Sequence, residues 1–119
     1  LFMARALGGE PLTVLGDGAQ TRDFVYVGDV ARAFAAAMDT PGVDGLIANI
    51  GSERATTIAE LAAAVVTATG GRSPIVHAPA RAGDIVRSLA DASRARAALG
   101  WAAELSLAEG LARTLAWLG

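Results

Sequence analysis

Apolar residues recur along this chain at two spacings, one helical and one too brief for a helix. Val30, Phe34 and Met38 fall every fourth residue and predict a helix from Val30 to about Met38, capped by Asp29 and ended by Pro41-Gly42. Ile58, Leu61, Ala62 and Val65 repeat the stripe from Ile58 to about Thr69. Thr57 and Glu60 stand in front of it at capping-box spacing, and Gly70-Gly71 closes it. Leu107, Leu111, Leu115 and Leu118 predict a last helix behind Ser106, with these leucines as its buried side. Leu1 to Leu7 reads as the end of an amphipathic helix, stopped by Gly8 and Pro11. Ser93 to Leu99 is another helix, ended by Gly100 with Trp101 packing back.

Between these helices lie short runs with strand character: Leu12 to Leu15, Thr21 to Val27, Leu46 to Ile50, Pro74 to His77 and, as a further candidate, Ile85 to Leu89. Gly16-Asp17-Gly18 joins the first two, either as a hairpin or as a link between separate strands. Leu46 to Ile50 is nearly all apolar and bounded by glycines, which predicts a strand buried on both faces of a parallel sheet. The alternation of strands and helices, with no internal repeat, gives an α/β fold class.

Composition narrows the partners. With 119 residues the chain fits one domain, yet it is 53% hydrophobic and only 18% charged, with a mean hydropathy of +0.42. Part of its apolar surface is therefore expected against something else. No apolar run approaches the roughly 18 to 20 residues of a membrane span, and no segment reads as a signal peptide, so no membrane partner and a cytoplasmic setting are expected. A net charge of -2 and scattered arginines exclude a nucleic-acid footprint. Without cysteine, and with His77 as the single histidine, disulfides, thiolate chemistry and a zinc cluster fall away. His77 in its apolar run, Trp101 and Trp117 read as packing residues, Tyr26 as core or cleft wall, and Arg94 and Arg96 as a solvated helix face.

Two stretches set an arginine among glycines and carboxylates, where a planar cation can meet an anion. The first runs from Gly16 to Ala31, GDGAQTRDFVYVGDVA, and the second from Arg81 to Trp101, RAGDIVRSLADASRARAALGW. Taken alone, Arg22 beside Asp23 reads as a surface ion pair, and Arg81 with Asp84 as a local one. Together they resemble the GDGxQxRDxxxVxDVA and RxGDxxxSxADxSKAxxxLGW stretches of the extended short-chain dehydrogenases/reductases, the NAD-dependent nucleotide-sugar epimerases and dehydratases. The order and spacing match, and the resemblance extends through Asn49-Ile50-Gly51-Ser52 between the two.

The resemblance implies that Arg22 and Arg81 pinch the diphosphate of a nucleotide sugar, most nearly a UDP-sugar as in the 4-epimerases. Asp84 would accept from the ribose hydroxyls, and Thr13, Leu15 and Phe24 would edge the nucleotide pocket. Ser88, four residues after Asp84, would border the hexose and leave room for an N-acetyl group. The family's chemistry also needs a GxxGxxG loop for NAD and a Tyr-x-x-x-Lys pair, and this sequence has neither: Tyr26 is its only tyrosine, and it has no lysine. The chain thus corresponds to the C-terminal, substrate-binding portion of such an enzyme. NAD is implied for the full-length parent and no cofactor for the chain itself, which would not catalyse alone. In the family the Val30 to Met38 helix and the Leu46 to Ile50 strand pack on the dinucleotide-binding half, so a homodimer, a domain-swapped dimer or docking to a separate Rossmann half is expected. A non-catalytic interaction module, or one half of a split enzyme, is the alternative.

Overall fold

The computed structural model describes all residues from Leu1 to Gly119. In chain order the elements are α1 (Phe2–Leu7), β1 (Leu12–Leu15), β2 (Thr21–Asp23), α2 (Val27–Asp39), β3 (Ala55–Thr57), α3 (Ile58–Ala68), β4 (Ile75–Ala78), α4 (Ser93–Leu99) and α5 (Leu107–Leu118). The strands form two separate pairs. β1 runs parallel to β4, with Leu12 opposite Ile75 and Leu15 opposite Ala78, and β2 runs antiparallel to β3, with Thr21 opposite Thr57. The turn between β1 and β2 therefore joins two sheets and makes no hairpin. It needs glycine at Gly18, where φ is +77° and a Cβ would lie 2.7 Å from Val14 Cγ1.

Two small cores hold the elements. In one, Leu12 and Val14 of β1 pack with Met3 and Ala6 of α1 and Ala62 and Val65 of α3. In the other, Ala33 of α2 meets Ala92, Ala95 of α4 and Trp101. The Thr57–Glu60 capping box before α3 forms as the sequence predicts, and Ser106 caps α5 as expected, completing a box of its own with Glu109. Gly100 closes α4 in the left-handed conformation, and Trp101 packs back, donating from Nε1 to the Asp29 carbonyl at 2.8 Å.

Only 14 of the 119 residues are buried, and the molecule is a slab of 49 × 35 × 17 Å. Its radius of gyration of 16.4 Å exceeds the about 13.5 Å of a compact chain this long. The thin shape explains several departures from the sequence pattern. Leu46 to Ile50 forms no strand, because no other strand of the chain lies beside it, and Ile47 is 79% exposed. Phe34 and Met38 keep their helical spacing but face outward, and Trp117 is 82% exposed rather than packed. On α5, Leu111 and Leu115 pack against the first core, while Leu118 stays exposed and none of the stripe is fully buried. His77 is exposed as well, its ring Nδ1 2.7 Å from the Gly16 carbonyl. Ile85 to Leu89 contributes only a single bridge, Arg87 to Thr21. Arg96 is engaged in an ion pair with Glu53, and Arg94 donates to the Ile47 carbonyl at 3.3 Å. No helix is long and apolar enough to cross a membrane.

Asp29 departs from its expected role most instructively. α2 begins two residues earlier, at Val27, with Tyr26 in the capping position and no side-chain cap. Asp29 lies in the first turn, 2% exposed, and its carboxylate serves distant backbone: the amides of Glu104 and Leu105 donate to it at 3.2 Å each, and Arg32 at 2.8 Å. Burial alone pushes this carboxyl up, but the bonds from Arg32, Leu105 and Glu104 prevail and hold it below the usual range. Arg32 also pairs with Glu104 at 2.9 Å, so α2 is clamped to the segment entering α5. Replacing Asp29 by Ala takes the acceptor from the half-buried amides of Glu104 and Leu105, while Arg32 keeps Glu104 and the Ala102 carbonyl. The loss is expected to be about 1 to 2 kcal/mol, read as a lower urea midpoint with an unchanged m-value.

Candidate functional site

Parallel strands bring their carboxyl ends to the same edge, and the loops that leave them open a crevice there. β1 and β4 do this at short range. Gly16 to Gln20 leaves one and Pro79 to Val86 the other, and the Gly16 amide still donates to the Ala78 carbonyl at 2.8 Å. Between the loops lies a cleft of about 290 Å³ whose walls include Leu15, Gly16, Gln20, Arg81, Asp84 and Val86. Its floor is braced locally: Asp17 accepts from the Ala19 amide at 2.9 Å, and Gln20 Nε2 donates to the Leu15 carbonyl at 3.1 Å.

β2 delivers the first arginine. The Thr21 amide donates to the Val86 carbonyl at 2.9 Å and the Ser88 amide to the Thr21 carbonyl at 3.2 Å, which stitches residues 86 to 88 onto the strand. Arg22 then lies against the second loop. Its Nη1 donates to the carbonyls of Thr21 and Ile85 at 2.8 and 2.6 Å, and its Nη2 meets Asp84 Oδ1 at 2.9 Å. The carboxylate partner of Asp84 is thus Arg22, 62 residues away, rather than its neighbour Arg81. Arg81 is exposed on the wall of the cleft, and its side chain makes no hydrogen bond or ion pair within the chain.

The other anticipated residues are distributed around this centre. Leu15 lines the cleft. Thr13 shares the outward face of β1 with Leu15 but lies one pleat back, half-buried opposite Val76. Ser88 is exposed at the end of the stitched segment, beyond the lining. Phe24 lines a second cleft of about 330 Å³, with Val25, Tyr26, Leu61, Leu105 and Leu111, between the start of α2 and helices α3 and α5. Tyr26 is part of that wall, and the Arg113 guanidinium sits 5.8 Å from its ring centroid. Leu15, Arg81 and Asp84 therefore share one cleft and Arg22 joins it through Asp84, whereas Phe24 lines the other cleft. No group of three carboxylate or histidine side chains is arranged to hold a metal.

Asp23 is the residue that sequence reasoning passed over. Successive strand side chains point to opposite faces, so Arg22 and Asp23 cannot pair with each other. Asp23 turns instead to the segment after Ile50, where Oδ1 accepts from the Ser52 amide and hydroxyl at 2.7 and 2.6 Å. Its Oδ2 accepts from the Glu53 amide at 2.9 Å and the Ala90 amide at 3.2 Å. Gly51 is needed there, since a Cβ would stand 2.4 Å from Ala90 Cβ and 2.7 Å from Asp23 Oδ2. Glu53, at φ 58°, turns back to accept from the Ala92 amide at 3.2 Å. The available signal was Arg-Asp adjacency within a strand, together with a Gly-Ser pair one loop away.

The chain belongs to a known family. The GDP-mannose 4,6 dehydratase family model matches residues 1–114, and this places the chain among the NAD-dependent epimerases and dehydratases of the extended short-chain dehydrogenases/reductases. It is 39% identical over 115 residues to the UDP-glucose 4-epimerase of Mycolicibacterium smegmatis, covering 97% of this chain and 36% of that protein. It is 49% identical over 78 residues to the UDP-N-acetyl-alpha-D-glucosaminuronate decarboxylase of Bacillus cytotoxicus, covering 66% of this chain and 24% of that protein. Among solved structures, the UDP-glucuronic acid 4-epimerase of Bacillus cereus in complex with UDP-glucuronic acid and NAD superposes with a TM-score of 0.85 at 29% identity, over 99% of this chain and 39% of that one. The α/β architecture is that of these enzymes, and the chain spans about a third of their length.

The Asp23 carboxylate makes a pH prediction. Burial raises its pKa, the bonds from Ser52, Ala90 and Glu53 lower it further, and the net position is below the ordinary 3.8. A carboxyl depressed in the folded state stabilises the fold above its unfolded pKa, and that contribution is lost as pH falls through the folded value. The chain should therefore lose stability below about pH 4. Asp23→Asn should cost about 1 to 3 kcal/mol at pH 7 and flatten part of the acid-side loss, as measured by thermal melts across pH.

Proposed function

We propose that the chain binds the nucleoside diphosphate part of a UDP-sugar, as the substrate-binding portion of an NAD-dependent sugar 4-epimerase-like enzyme. The observation that carries this reading is a cleft at the carboxyl ends of a parallel strand pair that Arg81 lines, with Arg22 of β2 paired to Asp84 of its wall. A diphosphate offers several acceptor oxygens and more than one negative charge, and two guanidinium forks can satisfy it from both sides. Leu15 and Thr13 would edge the nucleotide, Asp84 would accept from the ribose hydroxyls, and Ser88 would border the sugar. The hydride chemistry of the reading rests on NAD, for which this chain has neither the glycine loop nor the tyrosine and lysine pair. Its part is to bind and orient.

Calorimetry with UDP, using uridine as control, tests the site. UDP should bind more tightly than uridine and less tightly as salt rises. Arg22→Ala and Arg81→Ala should each weaken UDP by about tenfold or more. No binding at millimolar UDP, or equal binding of uridine, would sink the reading. In a full-length parent, Ser88→Tyr should weaken UDP-N-acetylhexosamines more than plain UDP-hexoses, and equal losses for both would remove Ser88 from the sugar's surroundings.

The open face of the slab supports an interaction role besides. Phe34, 71% exposed, lines an apolar hollow of about 330 Å³ with Val30, Val43, Leu46 and Ile50, and Val27, Met38 and Ile47 are exposed besides, at 72%, 86% and 79%. The isolated chain is expected to pair through this face or to dock there on a separate dinucleotide-binding half. Sedimentation velocity should show a dimer growing with concentration, and Phe34→Glu should reduce it. A monomer at every concentration would remove self-association from the reading.

A further inference from the structure

Asp84 sits where a negative charge is least welcome, on the wall of a cleft read as a diphosphate site. Its geometry shows what it is doing there. The Arg22 guanidinium is held on three sides, by the Thr21 and Ile85 carbonyls at Nη1 and by Asp84 Oδ1 at Nη2. These contacts fix the plane of the fork, and they leave Nε–H and one Nη2 hydrogen without a partner in the chain. Arg22 is half-buried, at 27% side-chain exposure, and Asp84 is more open, at 36%. Arg81, three positions from the carboxylate on the same loop, has no such support and is exposed.

We propose that Asp84 is the positioning residue for Arg22, orienting its guanidinium for a diphosphate before the ligand arrives, in addition to any contact Asp84 makes with a ribose. The pairing divides the labour of the two arginines. Paired with Asp84, Arg22 contributes direction with little net charge, and Arg81 contributes the charge that attracts the anion. The remaining carboxylate oxygen of Asp84 stays available to a hydroxyl, so the two roles are compatible. This inference rests on the diphosphate reading of the cleft, and two measurements separate them.

The first uses no ligand. In the free chain, the bonded Nη protons of Arg22 should exchange slowly and its Nε–H should show a high order parameter, Arg81 should be mobile, and Asp84→Ala should make Arg22 mobile too. Equal mobility of Arg22 and Arg81 in the unsubstituted chain overturns the proposal. The second compares UDP with its 2′,3′-dideoxy analogue, which lacks the ribose hydroxyls. Asp84→Ala should weaken both ligands by a similar factor, about tenfold, and should add almost nothing on an Arg22→Ala background. A loss confined to UDP, or a full further loss on that background, assigns Asp84 to the ribose alone and overturns the proposal. If the unsubstituted chain binds neither ligand, the diphosphate reading fails by itself, and the exchange measurement still decides whether Asp84 orders Arg22.

Discussion

The carboxylate of Asp23 ties together three stretches that share no continuous sheet. It belongs to β2, it receives both polar groups of Ser52 and the amide of Glu53, and it reaches the amide of Ala90. Without it, the amides of Ser52, Glu53 and Ala90 would have to find their acceptors in water. The pleat of β2 couples this anchor to the cleft: with Asp23 fixed on one face of a three-residue strand, Arg22 is committed to the other. One strand thereby sets the position of an arginine by tethering the carboxylate beside it.

The rest of the cleft follows from that commitment. Thr21 exchanges backbone bonds with residues 86 and 88, so the second loop is registered against β2 as well as against β4. Arg22 completes the join through its contacts with Asp84 and Ile85. The site is therefore a product of two strand pairings at once, the parallel one that sets the loops side by side and the antiparallel one that carries Arg22. Asp29 plays the corresponding part at the other end of the slab, where buried polar bonds replace the large apolar core that a molecule this thin does not have.

Much of this was legible in the letters, and the remainder was hidden for identifiable reasons. Helix ends are local events, so Thr57 with Glu60, Ser106 as a cap, and Gly100 could be read directly. The two arginine loops were legible because glycine, carboxylate and guanidinium stand close together in each. What escaped depended on distant residues. Leu46 to Ile50 has the composition of a buried strand, but a strand exists only with a neighbour, and none in this chain lies beside it. Asp29 has the letter and place of a helix cap, yet its acceptor capacity is claimed by amides 75 and 76 residues away. Asp84 has Arg81 close in sequence, but the turn that makes them neighbours leaves Arg22 better aligned. Phe34 and Met38 were assigned to a helical face correctly, and periodicity has no means of saying what that face meets.

The parallel pairing of β1 with β4 also governs the order in which the molecule can assemble. The two walls of the cleft come from segments more than sixty residues apart, with 63 positions between Arg22 and the Ile85 carbonyl it contacts. Helices α1 and α3 and their caps can form as soon as they are made, but the cleft must wait until loop 79 to 86 has been synthesised and has closed a long chain loop against β1 and β2. During that interval β1 stands without its sheet partner and the arginine of β2 without its carboxylate. Slowing synthesis just after Val86 would give this late, non-local step time to finish.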